Sequence, residues 1–133
     1  MNTSEWQNIL DGAGDMFDGV LPGARLGLLG LGDGSTPLSR VKTDMLVWTR
    51  VETGMEAQCL PFDGFPVQDL DLLFAGDDDV LEGLAGDPFT RLVERVRDGL
   101  ILLFYLKERD DLEELGYEDF FERLGLTFMG PCR

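Results

Sequence analysis

Residues Val41 to Glu52 alternate between a mostly apolar set and a more polar set of side chains. This period of two predicts a long strand that buries one of its faces. One face of this strand takes every second residue from Val41 onward. The opposite face includes Leu46, Trp48 and Arg50. The pair Thr53-Gly54 then predicts a hairpin turn into a further strand over residues 55–60. The inward side chains of that second strand are predicted to be Met55, Ala57 and Cys59.

Helical spacing of apolar residues predicts an amphipathic first helix from Ser4 to Phe17. Ser4 and Gln7 have the spacing of a capping box, in which each side chain satisfies a free backbone N–H of the first turn. Gly12 and Gly14 interrupt the stripe, and each glycine costs up to about 1 kcal/mol inside a helix. We therefore expect tertiary packing to hold this helix in place.

The strongest helix signal in the chain lies between Asp87 and Asp98. Asp87 is a capping residue, Pro88 suits the first helical position, and Gly99 is a typical C-terminal stop. The remaining predicted helices are short, and they cover residues 67–74, 77 to 83 or 86, 110–115 and 118–124. Carboxylates at the start of the helix predicted from residue 77 suit the positive end of a helix dipole.

The other strand signals are short apolar runs. Residues 25–31 are predicted to form a glycine-rich edge strand. The run from Leu100 to Leu106 is apolar on both faces, which predicts a strand in the centre of the sheet. Residues 61–66 contain two prolines and predict a loop, and residues 126–129 are assigned a last short strand.

The order of these elements is typical of one α+β domain spanning residues 1–133. Strands are grouped near the start and helices follow, so we expect a mainly antiparallel sheet with helices packed on one face. A chain of 133 residues has the usual length of a single domain with one core. No internal repeat or linker divides it.

Charge is the property that most restricts the function. The chain has 26 carboxylates against 11 basic residues and no histidine, for a net charge of −15. Such a field repels phosphate backbones and anionic membrane surfaces, so neither direct nucleic-acid binding nor membrane binding is expected. A protein partner with a basic surface would instead be attracted.

Catalytic and cofactor signals are weak. The glycine series that begins at Gly27 has no lysine and leads into Pro37 and a strand, so it lacks the features of a phosphate-binding loop. Without histidine, the usual general base near neutral pH is missing. No cofactor or metal is predicted, and an enzyme is the less favoured interpretation. Clustered aspartates are expected from composition alone in a chain this acidic.

The two cysteines, Cys59 and Cys132, have no metal-ligand spacing and are predicted to be buried free thiols. The alternative is a disulfide that links the C-terminal tail to the core. The N-terminal residues lack the basic and apolar regions of a signal peptide. The longest apolar run has seven residues, from Leu100 to Leu106, whereas a membrane span needs about 20. We therefore expect a soluble, cytoplasmic protein in a reducing compartment.

These observations favour a non-enzymatic acidic domain that binds a basic protein, as an inhibitor, an immunity protein or a mimic of nucleic acid. The predicted partner-binding residues are Trp48, Arg50, Asp110, Asp111, Glu113, Glu114, Tyr117 and Glu118. The competing interpretation places Trp48 under a helix, with Arg50 paired to Glu52. Alternative functions are a small dimeric secretion or assembly chaperone, or a small carboxylate-based enzyme or ligand-binding domain.

Overall fold

The computed structural model describes residues 3–32, 43–62, 70–84 and 87–125. A five-stranded sheet forms its centre, with the strand order β3-β2-β1-β4-β5. The strands are β1 (Arg25–Gly30), β2 (Thr43–Val51), β3 (Gly54–Phe62), β4 (Leu72–Gly76) and β5 (Ile101–Tyr105). The helices are α1 (Thr3–Gly12), α2 (Asp78–Glu82), α3 (Pro88–Arg97), α4 (Arg109–Glu114) and α5 (Tyr117–Leu124). A 3-10 helix covers Gly14–Phe17.

The predicted fold class is confirmed. Strand β1 is parallel to β4, and the pairs β1–β2, β2–β3 and β4–β5 are antiparallel. Each of the five α-helices and the 3-10 helix contributes at least one buried side chain to a single apolar cluster. That cluster also takes Leu26 and Leu28 from β1 and Trp48 from β2. The described helices therefore pack on one face of the sheet, which we call the helix face.

Aromatic packing around Trp48 fixes three helices to the sheet. The Trp48 ring lies 5.2 Å from Trp6, 5.9 Å from Phe89 and 6.4 Å from Phe17, measured between ring centroids. These rings come from α1, α3 and the 3-10 helix. One strand residue thus contacts three helices that are all distant from it in the sequence.

The opposite face of the sheet, which we call the second face, carries its own apolar cluster. Its buried members are Leu29, Met45, Val47, Phe62, Leu70, Leu73 and Ala75. They alternate along the strands with the residues of the helix face, as the period-two spacing of a strand requires. Both faces of the sheet are therefore apolar.

The first helix differs from its prediction. It ends at Gly12 and is followed by the separate 3-10 helix, which agrees with the weakening expected from the two glycines. Gln7 does not complete a capping box. Its side-chain nitrogen donates to the Met55 carbonyl at 2.9 Å, and its side-chain oxygen accepts from the Ala57 N–H at 2.8 Å. Gln7 therefore fastens α1 to β3.

The helix predicted over residues 67–74 is wrong where it can be compared, because residues 72–76 form strand β4. Residues 67–69 lie outside the described part of the chain. Every residue of β4 is buried, since it lies between β1 and β5 with apolar clusters on both faces. A fully buried strand shows no alternation, and its short apolar run resembles a buried helix.

The predicted positions of two strands in the sheet are exchanged. The glycine-rich strand β1 lies at the centre, and the apolar strand β5 lies at an edge. Glycine at position 27 allows β1 to be packed closely in the centre of the sheet. A Cβ added there would lie 2.7 Å from a Leu70 methyl and 2.8 Å from a Leu73 methyl. At β5, Leu102 is 50% exposed, so an apolar residue occupies a solvent-facing edge.

Strand β3 runs further than predicted and includes Pro61 and Phe62. The inward pattern holds at Met55 and Ala57 but not at Cys59, which is exposed and free. The Cys59 Sγ lies 3.0 Å from the Thr3 hydroxyl. Cys132 and the strand predicted over residues 126–129 lie outside the described residues, as does the part of the predicted loop beyond Phe62.

The remaining elements agree with the predictions to within two residues. These are β1, β2, α2, α3, α4 and α5. Asp87 occupies the N-cap position of α3 without a side-chain capping hydrogen bond, and Pro88 is its first residue. Among the described residues, no helix is long and apolar enough to span a membrane.

Candidate protein-binding surface

A pair of short helices, α4 and α5, carries most of the predicted partner-binding residues. The two helices are joined by Leu115 and Gly116, and Gly116 adopts a positive φ of 88°. Their inward side chains are Leu112, Tyr117, Phe120, Phe121 and Leu124. Because the apolar residues of both helices point into the core, their carboxylates are directed to solvent.

Five predicted residues form what we call the acidic face. It consists of Asp110, Asp111, Glu113, Glu114 and Glu118, all of them exposed. Residues 107–125 as a whole contain eight carboxylates and three basic side chains. The acidic face therefore lies in a strongly negative local field, and its five carboxylates are open to solvent.

Two ion pairs lie on this helix pair. Arg109 Nε is 2.9 Å from Glu113 Oε1, and Arg123 Nε is 2.7 Å from Asp119 Oδ2. All four side chains are more than one third exposed, and such helix-surface pairs contribute about 0.3–0.5 kcal/mol. The two ion pairs therefore contribute little to the stability of the helix pair.

An exposed apolar residue, Leu21, stands beside the acidic face. The Leu21 N–H donates to the Leu115 carbonyl at 2.8 Å, which fixes it against the turn between α4 and α5. Its side chain is 51% exposed. An apolar anchor surrounded by charged groups is the arrangement found at many protein-binding sites.

Sequence analysis missed Leu21 because it stands between Val20, the last residue of the first apolar stripe, and Pro22 in a turn. Its exposure follows from the neighbouring burial of Val20, since adjacent residues in a turn point in different directions. The signal that could have identified it is a large apolar residue next to a turn proline, outside the helical periodicity.

Trp48 and Tyr117 are not part of this surface. Trp48 is 1% exposed and Tyr117 is 0% exposed, and both belong to the helix-face cluster. Their burial excludes direct contact with a partner in this conformation, so we remove them from the candidate surface. For Trp48, the competing interpretation of a tryptophan lying under a helix is the one that the structure supports.

Arg50 is also occupied within the fold. Its Nε donates to the Val20 carbonyl at 2.9 Å, and one terminal nitrogen donates to the carbonyls of Val51 and Gly54 at 3.1 and 3.0 Å. It therefore ties the hairpin turn to the segment before β1, and the predicted pairing with Glu52 is not what holds it. We remove Arg50 from the candidate surface as well.

Three other arginines bind backbone carbonyl groups, two of them at the C-terminal end of a helix. Arg91 donates to the Gly83 carbonyl, Arg97 to the Gly125 carbonyl and Arg123 to the Asp15 carbonyl. Gly83 and Gly125 are the C-cap residues of α2 and α5, where free carbonyls and the helix dipole attract positive charge. These cations stabilise helix ends in the fold.

Asp71 and Tyr117 form a buried polar pair beneath the helix pair. The Tyr117 hydroxyl donates to Asp71 Oδ2 at 2.8 Å, and the same oxygen accepts from the Arg25 N–H at 2.9 Å. The Asp71 backbone adds bonds to Arg25 and Leu106. Asp71 thereby connects the start of β1, the segment after β5 and α5, which positions the acidic face on the sheet.

Burial raises the pKa of the Tyr117 hydroxyl above its ordinary value, and the negative charge of Asp71 raises it further. The folded protein therefore keeps this proton at a pH where the unfolded chain releases it. The resulting stability is present below about pH 10, and we expect it to fall above that pH by about 1.4 kcal/mol per pH unit.

The Tyr117→Phe variant has no such proton, so its stability should fall less steeply between pH 10 and pH 11.5. Urea unfolding followed by circular dichroism at several pH values measures the difference. Equal alkaline slopes in the two proteins would contradict the assignment of this proton to Tyr117.

Among residues 3–32, 43–62, 70–84 and 87–125, no group of three or more cysteine or carboxylate side chains is arranged to hold a metal ion.

Comparison with known proteins adds little to this description. Neither a protein-family model nor a curated protein matches the chain. One matching solved structure, described as "UbiJ-SCP2 Ubiquinone synthesis protein", covers 92% of this chain and 87% of its own length at 13% identity, with a TM-score of 0.48. A likeness this distant supports no statement about ligand or activity.

Proposed function

We propose that this protein is a non-enzymatic binding domain that captures a basic partner protein through the acidic face and Leu21. The observation that carries the proposal is the position of an exposed apolar side chain against a rigid turn flanked by exposed carboxylates. An inhibitor, an immunity protein or a mimic of nucleic acid would act in this way.

Charge supports this proposal through the rate of encounter. With a net charge of −15, the chain attracts a basic surface over about one Debye length, roughly 8 Å at physiological salt. Electrostatic attraction raises association rates by about tenfold or more at low salt. The carboxylates would orient the partner, and Leu21 would contribute apolar contact at the centre of the interface.

The packing of the helix pair supports the proposal through rigidity. Phe120 stacks on Phe17 at 5.2 Å, and Phe121 lies 6.0 Å from Tyr105, measured between ring centroids. The acidic face is thus fixed to both the 3-10 helix and strand β5. A surface held in place before binding loses less conformational entropy when it meets a partner.

A cytoplasmic location belongs to the same proposal. Cys59 is exposed and free, and an exposed thiol of this kind persists most readily in a reducing compartment. The expected attraction between the acidic chain and a basic partner does not depend on this location.

The experiment compares two variants with the same net charge. In the first, Asp110, Glu114 and Glu118 of the acidic face are replaced by Lys. In the second, Glu5, Glu56 and Glu82, which are exposed elsewhere, are replaced by Lys. Immobilised wild type and both variants are used to capture proteins from a lysate of the source organism, and bound proteins are quantified by mass spectrometry.

We expect the wild type and the second variant to retain one stoichiometric basic protein that the first variant loses by at least about tenfold. Equal loss in both variants would mean that only the overall charge matters, and the assignment to the acidic face would be withdrawn. Equal retention by all three proteins would exclude an electrostatic role for this surface.

A further inference from the structure

We draw no further inference here: the strongest candidate, the apolar sheet edge formed by strand β5, where Leu100 is 51% and Leu102 is 50% exposed, carries nothing because no feature of the described residues shows what covers it.

Discussion

Replacing Asp71 by Ala is expected to lower the free energy of unfolding by about 2–6 kcal/mol. The Asp71 side chain accepts hydrogen bonds from the Tyr117 hydroxyl at 2.8 Å and from the Arg25 N–H at 2.9 Å, and the residue is 7% exposed. Alanine removes the acceptor of the Arg25 N–H and leaves the Tyr117 hydroxyl only its longer contact, 3.4 Å, to the Arg25 carbonyl. Each buried donor that loses its acceptor costs about 1–3 kcal/mol. Urea unfolding at pH 7, followed by tryptophan fluorescence, measures the change.

Asp71→Asn is the matched control for this prediction. Its side-chain oxygen can accept from the same two donors, so we expect less than half of the loss seen with alanine. Both variants retain the backbone bonds that join residue 71 to Arg25 and Leu106. If the two variants lost equal stability, the effect would come from the charge of Asp71 and not from its hydrogen bonds.

Replacing Gly116 by Ala is expected to lower the free energy of unfolding by about 3 kcal/mol or more, because it combines overpacking with backbone strain. Gly116 has a φ of 88°, and an added Cβ would lie 1.8 Å from the Gly19 carbonyl oxygen. That contact involves backbone on both sides, so the turn between α4 and α5 would have to move away from Leu21. Thermal unfolding followed by circular dichroism provides the measurement.

Gly125→Ala separates the clash from the backbone strain. Gly125 has a φ of 96°, and an added Cβ would meet nothing within 4 Å. This control should therefore lose only the roughly 1–2 kcal/mol that an L-residue costs in the left-handed region. A Gly116→Ala variant no less stable than Gly125→Ala would show that Gly116 does not require the close approach to Gly19.

Local signals in the sequence were sufficient for the fold class and for most helices. Alternation over β2 and the capping and stop residues around α3 act within a few residues, so they are visible without tertiary contacts. The arrangement of strands was harder to predict. Strand β4 is buried on both faces and lacks alternation, and the central place of β1 depends on how Leu70 and Leu73 close over Gly27.

The candidate surface was partly predictable for a related reason. The exposure of the α4 and α5 carboxylates could be predicted, because acidic residues on short amphipathic helices face solvent. Aromatic residues give no such guidance, since Trp48 and Tyr117 suit an interface and a core equally well by residue type. Leu21 and Asp71 were missed because their roles depend on contacts with residues more than 40 positions away in the chain.

The salt dependence of association with the captured partner tests the central claim most directly. Association rates are measured by stopped-flow fluorescence between about 20 and 500 mM salt for the wild type and for the variant with Asp110, Glu114 and Glu118 replaced by Lys. We predict a steep fall with rising salt for the wild type and a much flatter dependence for the variant. Identical slopes in the two proteins, or a wild-type rate that salt does not change, would contradict capture through the acidic face.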